Sequence, residues 1–370
     1  MINTLGIVSY DDFVEIPGLT DTRPVPSISF MGRYRLVDFV LSNLTNSGIS
    51  NIQIYLKNKP RSVIEHVGTG RHYNINSKSG KLRILTGEVN AQAEVYHHDV
   101  SAYLANMQYI EEAHQDYVVI APSYMIYKFD FNEALLAHKE SKADVTILYK
   151  TIDNADTSFA RVDTLTIDKP RRVVSIDKNQ GKYKNRHISL SSYVMSKEVF
   201  IHLVYLAHET SSLYTLRDIL KDQLALMNVM AYPVKGYVAA INTMAEYYKV
   251  SMELTDYEDA KELFSPQWPI HTRTNDSAPT QYAVEADVSG SVIANHCQIA
   301  GTVKHSVIGR DVVIGKGAII EDSVILANTV IADNAVLKHV VVDKFARIVH
   351  KKELIGSPDR IIYVKRKDVI

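Results

Sequence analysis

Few groupings in this 370-residue chain carry side chains able to hold charge, protons or metals at short spacing. The early stretch VSYDDFVEIPGLT, residues 8–20, holds Asp11, Asp12 and Glu15, with no glycine before Gly18. A loop that cradles phosphates needs glycines, because backbone N–H groups close on an anion only where no Cβ intervenes. This one is acidic and bulky, and is expected to repel a triphosphate. Among the 14 histidines no HExxH or HxxxH spacing occurs. The densest cluster is His97-His98-Asp99, and adjacent imidazoles point apart on a helix or a strand, so no metal is expected there. The stretch DKNQGKYKNRH, 177–187, has five basic residues if His187 is counted, and reads as a solvated loop or as an anion or sugar-phosphate site. The terminal KRK at 365–367 reads as solvated. The single cysteine, Cys297, excludes an intrachain disulfide and any multi-cysteine metal site. No Ser–His–Asp or Cys–His arrangement is suggested by spacing.

The elements that would position such groups follow from periodicity. TLGIVSY, NIQIYL, DYVVIAP and ADVTILYK read as buried strands, each followed by a helix-period stretch such as RLVDFVLSNLTNSG, which Gly48 would cap, or FNEALLAHKESK. This alternation predicts an α/β domain with a mostly parallel sheet, whose ligands sit beyond the carboxyl ends of the strands. From about residue 255 the pattern breaks into a proline-containing linker that carries the only tryptophan, Trp268. From about 284 a new period appears. Val307, Val313, Ile319, Ile325, Ile331 and Leu337 are spaced by six, with Gly317, Ser323, Thr329 and Ala335 two residues before the last four. That spacing predicts a left-handed parallel β-helix of hexapeptide repeats with the aliphatics stacked inside. The expected organisation is therefore an α/β domain over 1–254, a linker over 255–283 and a β-helix over 284–370.

Composition excludes several classes. With 41 basic and 42 acidic residues the net charge is −1, which argues against nucleic acid as the main partner. No apolar run approaches the ~20 residues of a spanning helix, and the N-terminus turns acidic after one short apolar stretch, unlike a secretory signal. A cytoplasmic protein without a membrane partner is expected.

Beyond these features, segment 30–48, FMGRYRLVDFVLSNLTNSG, resembles the FGGKFRIIDFALSNCxNSG stretch of glucose-1-phosphate adenylyltransferases (ADP-glucose pyrophosphorylases). QWPIHT at 267–272 is similar to that family's WPIRT, IYKFDF at 126–131 to its HIYKxDY, and GYVAAINTMAEYYKVSMEL to its YWRDVGTxEAYYxANxDL. The resemblance runs nearly end to end. It implies a Rossmann-like, GT-A-like nucleotidyltransferase domain before the β-helix. It also implies a chemistry in which ATP and glucose 1-phosphate yield ADP-glucose and pyrophosphate, with Mg²⁺ held by carboxylates.

The departures bear on that chemistry. The family's LAGGRGTRLxxLT falls on residues 8–20, so its three glycines become Tyr10, Asp11 and Phe13, and its second arginine becomes Glu15. The lysine of RAKPAVxF becomes Val25, while Arg23 and Pro26 are kept. GTADAV falls on HDVSAY, placing His98 and Ser101 at its glycine and acid. The aspartate of AGDHIYK falls on Tyr124, and that of YWRDVGT on Ala240, so no carboxylate is implied for Mg²⁺ and no cofactor is expected. On the sugar-phosphate side, SIDKN resembles VEKP, giving Asp177 and Lys178; SLSSYV resembles SMGIYV, giving Ser189; and LRDIL keeps Asp218. Each of these could equally be a remnant of the fold.

The resemblance, with these departures, implies the non-catalytic, GlgD-type regulatory subunit of the family. Such a chain accompanies a catalytic partner in a hetero-oligomer, usually a heterotetramer, and tunes its synthesis of ADP-glucose for glycogen. Two other readings stay open: an active adenylyltransferase with an atypical site, and a stand-alone sugar-phosphate sensor. A hexapeptide acyltransferase is disfavoured, because His296, His305 and His339 have no motif around them.

Overall fold

A computed structural model describes residues 2–9, 14–75, 78, 80–86 and 97–370. The α/β domain is built on nine strands: β1 (Thr4–Val8), β2 (Asn51–Leu56), β3 (Lys81–Thr86), β4 (Tyr117–Ala121), β5 (Val145–Ile152), β6 (Asp163–Asp168), β7 (Arg172–Lys178), β8 (Arg186–Ser196) and β9 (Val229–Pro233). They form one sheet in the order β3–β2–β1–β4–β8–β5–β9–β7–β6. The four strands read from periodicity are β1, β2, β4 and β5. The first three lie side by side and parallel. The parallel run ends at β8, which inserts between β4 and β5 antiparallel to both, so the sheet is mixed. Alternation along β1 shows why both faces are covered: Leu5 and Ile7 enter one core, and Val8 enters the other. Helices Leu36–Asn46, Phe131–Ser141 and Met244–Glu253 cover the first core. Helices Asp99–Ala105, Lys197–Thr210 and Leu216–Gln223 cover the second. Gly48, at φ +78°, closes the helix Leu36–Asn46 as its sequence position requires.

The chain then runs through a short helix, Tyr257–Leu263, into a strap that docks on the polar side of Leu36–Asn46. Trp268 Nε1 donates to Asn43 Oδ1 at 2.9 Å, the His271 amide donates to Ser42 Oγ at 2.8 Å, and Asn46 donates to the Pro269 carbonyl at 2.9 Å. The serine and asparagines of LSNLTNS therefore hold the linker.

The C-terminal region is a parallel β-helix with three five-stranded sheets, beginning at Gln281–Tyr282. Its interior register differs from a strict period of six. The stacked, buried residues are Ile308, Ile314, Ile320, Ile325, Ile331, Leu337, Val342, Ile348 and Leu354. Every third step is five residues, and strand partners such as Val307, Val324 and Val341 recur every 17. The six-spaced series seen in the sequence thus starts on the outer faces of the coils, with Val307 buried in the seam to the α/β domain, Val313 and the exposed Ile319, and crosses inside only at Ile325. The aliphatic doublets ValIle and IleIle hide this shift, since both frames look apolar. Corners take left-handed backbone, and one corner stacks His305, Asp322 and His339 at φ +44°, +46° and +52°.

Val292, Val307, Val324 and Val341, with Tyr363, project outward from the third sheet and pack into the core of the α/β domain. The seam also carries charge. Buried Arg23 pairs with fully buried Asp343, which accepts a second hydrogen bond from the Tyr363 hydroxyl at 2.8 Å. Gly18, at φ +89°, lies so close to the Tyr363 ring that a Cβ there would come within 2.4 Å of it. Behind the seam, buried Asp38 accepts from His66 Nε2 and from the Tyr73 hydroxyl, both at 2.6 Å. Burial pushes the His66 imidazole below its ordinary value. Among the described residues, no helix is long and apolar enough to cross a membrane.

Three outcomes test this architecture. Asp343→Ala, which strands Arg23 in the seam, is expected to cost about 3–5 kcal/mol in urea unfolding, with much of it recovered in Arg23→Met/Asp343→Leu. Ile320→Asn should unfold the β-helix at temperatures where Ile319→Asn leaves the melting curve within about 1 kcal/mol of the parent. Burial, with Arg35 and Arg23 nearby, lowers Lys344 to about 7. The unfolded chain therefore binds the extra proton between about 7 and the ordinary 10.5, so stability should rise with pH across that window. Lys344→Met should flatten that slope in melts recorded from pH 7 to 10.

Candidate functional site

Two adjoining recesses open at the carboxyl end of β1, and Ser9 lines both. The smaller, of about 80 Å³, lies between the segment from Val14 to Pro26 and the end of β2. Of the residues expected at a nucleotide end, Tyr10, Asp11 and Phe13 lie outside the described residues. Glu15 is exposed and lines this recess, and Val25 is buried in its wall, in the turn Val25–Ser27 that follows Pro24. The reading of this end as acidic is incomplete: Lys57 and Lys59 line the same recess, and the Lys59 ammonium donates to the Thr20 carbonyl at 2.9 Å. Both lysines follow β2 directly, where an α/β sheet puts its ligand loops, and that position was the available signal.

Tyr124 and Ala240, which are 116 positions apart in sequence, meet in space. The short strands Met125–Tyr127 and Val238–Ala240 pair antiparallel with Ala240 opposite Met125, and the Ile241 amide donates to the Tyr124 carbonyl at 2.8 Å. Both residues are buried, and the Tyr124 hydroxyl bonds Ser191 Oγ at 2.8 Å. A phenol tied to a serine and a methyl group offer no carboxylate to a hard cation, so the residues present do not fit Mg²⁺. Among the described residues, no three His, Cys, Asp or Glu side chains converge to hold a metal ion.

The larger recess, a cleft of about 230 Å³, sits against a bulge in β8 where Ser191 takes φ +49°. The bulge satisfies its own polar groups: the Ser191 amide donates to Ser189 Oγ at 3.1 Å, and Ser192 Oγ donates to the Leu190 carbonyl at 3.0 Å. Asp99, Asp163, Lys178, Arg217 and Asp218 supply its charge. Of the four residues expected on a sugar-phosphate side, Lys178 and Asp218 line it. Ser189 is buried in the sheet. Asp177 is exposed beside Lys178 and accepts from Ser175 and from Lys221 Nζ at 3.4 Å, and the Ser175 hydroxyl, then Lys221, holds its carboxyl below the ordinary range. Asp218 closes a capping box with Thr215 at the start of the helix Leu216–Gln223, a fold role, and also faces the cleft. Asp163 and Arg217 were not singled out from sequence; no motif marks either, because strand register and a helix start bring them together.

The remaining candidates have structural partners. His98 precedes the helix Asp99–Ala105, and its Nε2 lies 2.8 Å from the Ser212 carbonyl. His305 Nδ1 lies 2.6 Å from Asp322 Oδ1, His296 pairs with Asp311, and His339 Nδ1 lies 2.7 Å from the Tyr248 hydroxyl. Within 177–187, Arg186 stacks on exposed Tyr183 with its guanidinium 4.3 Å from the ring centroid.

Comparison with known proteins is consistent across both regions. The sequence profile described as Nucleotidyl transferase matches residues 16–256, and that described as GlmU-like, C-terminal hexapeptide, matches 278–360. A protein named glycogen biosynthesis protein GlgD from Geobacillus stearothermophilus is 30% identical, over 84% of this chain and 80% of its own length. Its namesake from Bacillus subtilis (strain 168) is 28% identical over 98% of this chain and 95% of its own. A glucose-1-phosphate adenylyltransferase from Thermosipho africanus (strain TCF52B) is 29% identical over 80% of this chain and 72% of its own. The chain belongs to the nucleotidyl transferase family, and its relatives there include proteins named glucose-1-phosphate adenylyltransferase and glycogen biosynthesis protein GlgD.

Proposed function

We propose that this chain acts in glycogen biosynthesis as a regulatory, catalytically deficient subunit. In this reading it tunes a catalytic glucose-1-phosphate adenylyltransferase partner in the cytoplasm. The observation that carries the reading lies at two paired short strands: Ala240 stands opposite Met125 and the Tyr124 carbonyl accepts from the Ile241 amide, so the two positions that would hold the cation of metal-assisted nucleotidyl transfer are backbone neighbours, and neither bears a carboxylate. The exposed glutamate at 15 and the buried valine at 25 point the same way, since neither can neutralise a triphosphate. The likeness to the GlgD proteins along nearly the whole chain supports the class of partner. Such a subunit acts by population shift: packing better against the active conformation of its partner biases the hetero-oligomer toward it, with couplings of ~1–3 kcal/mol typical. A heterotetramer is the assembly this reading favours.

The purified chain, given ATP, glucose 1-phosphate and Mg²⁺, is expected to form no ADP-glucose above background. Mixed with the catalytic homologue from the same genome, it should co-elute by size exclusion and change kcat, substrate affinity or effector response. Turnover by the chain alone near that of a competent relative would overturn the deficiency; absence of both a complex and a kinetic change would overturn the partnership. Tyr124→Asp/Ala240→Asp is expected to leave turnover at background, because Glu15 and Val25 still oppose the phosphates.

A further inference from the structure

Four of the five charged groups of the larger cleft are bonded to one another. Asp163 opens β6 directly opposite Lys178 at the end of β7, as antiparallel cross-strand partners. Its carboxylate is almost wholly buried, and Oδ1 receives both Lys178 Nζ at 3.0 Å and Arg217 Nε at 2.8 Å. The other branch of Arg217, Nη1, bonds Asp218 Oδ1 at 3.1 Å. Asp99, across the cleft, accepts the Leu216 amide on both oxygens, at 3.3 and 3.2 Å. The lining thus sets three carboxylates against two cations, and both cations converge on a single oxygen.

We infer that Asp163 is an internal counter-anion that closes this cleft to phosphorylated ligands. A phosphate needs the charge-assisted donors that Lys178 and Arg217 carry, and Asp163 already holds both. An arriving phosphoryl group would have to displace a buried carboxylate that strand register fixes in place, and would then face Asp99, Asp163 and Asp218 together. Asp163 therefore determines specificity by exclusion, and Lys178, despite lining the cleft, serves the fold. The inference holds whether or not the chain tunes a catalytic partner.

The test is calorimetric titration of the full chain with inorganic phosphate and, separately, glucose 1-phosphate. Four forms are compared: native, Asp163→Asn, Lys178→Ala, and the double variant. Binding elsewhere on the chain is common to all four and cancels. The expected results are equal binding by native and Lys178→Ala chains, a gain of about tenfold or more in affinity in Asp163→Asn, and loss of that gain in the double variant. A native chain whose phosphate binding falls about tenfold on Lys178→Ala already admits the anion there and overturns the inference. So does a folded Asp163→Asn chain with no gain. Should Asp163→Asn fail to fold, the native and Lys178→Ala comparison decides alone.

Discussion

The structure depends on the seam where a row of β-helix valines enters the core of the α/β domain. The β-helix buries three files of aliphatics, one from each sheet, inside its coils, and here one outer face adds Val292, Val307, Val324 and Val341 to the core that helices Leu36–Asn46 and Met244–Glu253 already cover. The two regions therefore share one core at the seam, while the β-helix keeps a separate core inside its coils. At its edge the buried Arg23–Asp343 pair and the Tyr363 hydroxyl fix orientation. Buried charge of this kind is costly to break and contributes little net stability when made. Gly18 carries the constraint into the first recess, since its segment lies flat against Tyr363.

That rigid frame holds a family site whose recesses are largely satisfied from within. The buried Tyr124 bonds Ser191, Tyr127 bonds Ser192, and Asp163 gathers the two cations of the cleft. Catalytic recesses present donors and charges that await a ligand. In the larger cleft Asp163, Lys178, Arg217 and Asp218 bond to one another.

Legibility in the sequence was uneven. β1, β2, β4 and β5, the helices after them and the β-helix are readable because burial of a continuous apolar face imposes a period. The interior register of the β-helix was not, because ValIle and IleIle doublets are apolar in both frames and only the five-residue side reveals which partner turns inward. The antiparallel insertion of β8 carries no period, because its serines are satisfied within the bulge and by the Tyr124 and Tyr127 hydroxyls.

What the sequence by itself determined is composition at named positions: no carboxylate at 124 or 240, a glutamate at 15, a valine at 25 and a lysine at 178. These identities are independent of geometry. Only the tertiary structure decided which groups meet. It set Tyr124 beside Ala240 through pairing of two short strands, directed Ser189 into the sheet and Asp177 to solvent, and brought Asp163, Lys178 and Arg217 onto one oxygen. A charge-assisted hydrogen bond forms only at contact, about 3 Å, whereas Lys178 and Arg217 lie 39 residues apart in sequence. Charge counted along the chain therefore says little about charge available to a ligand.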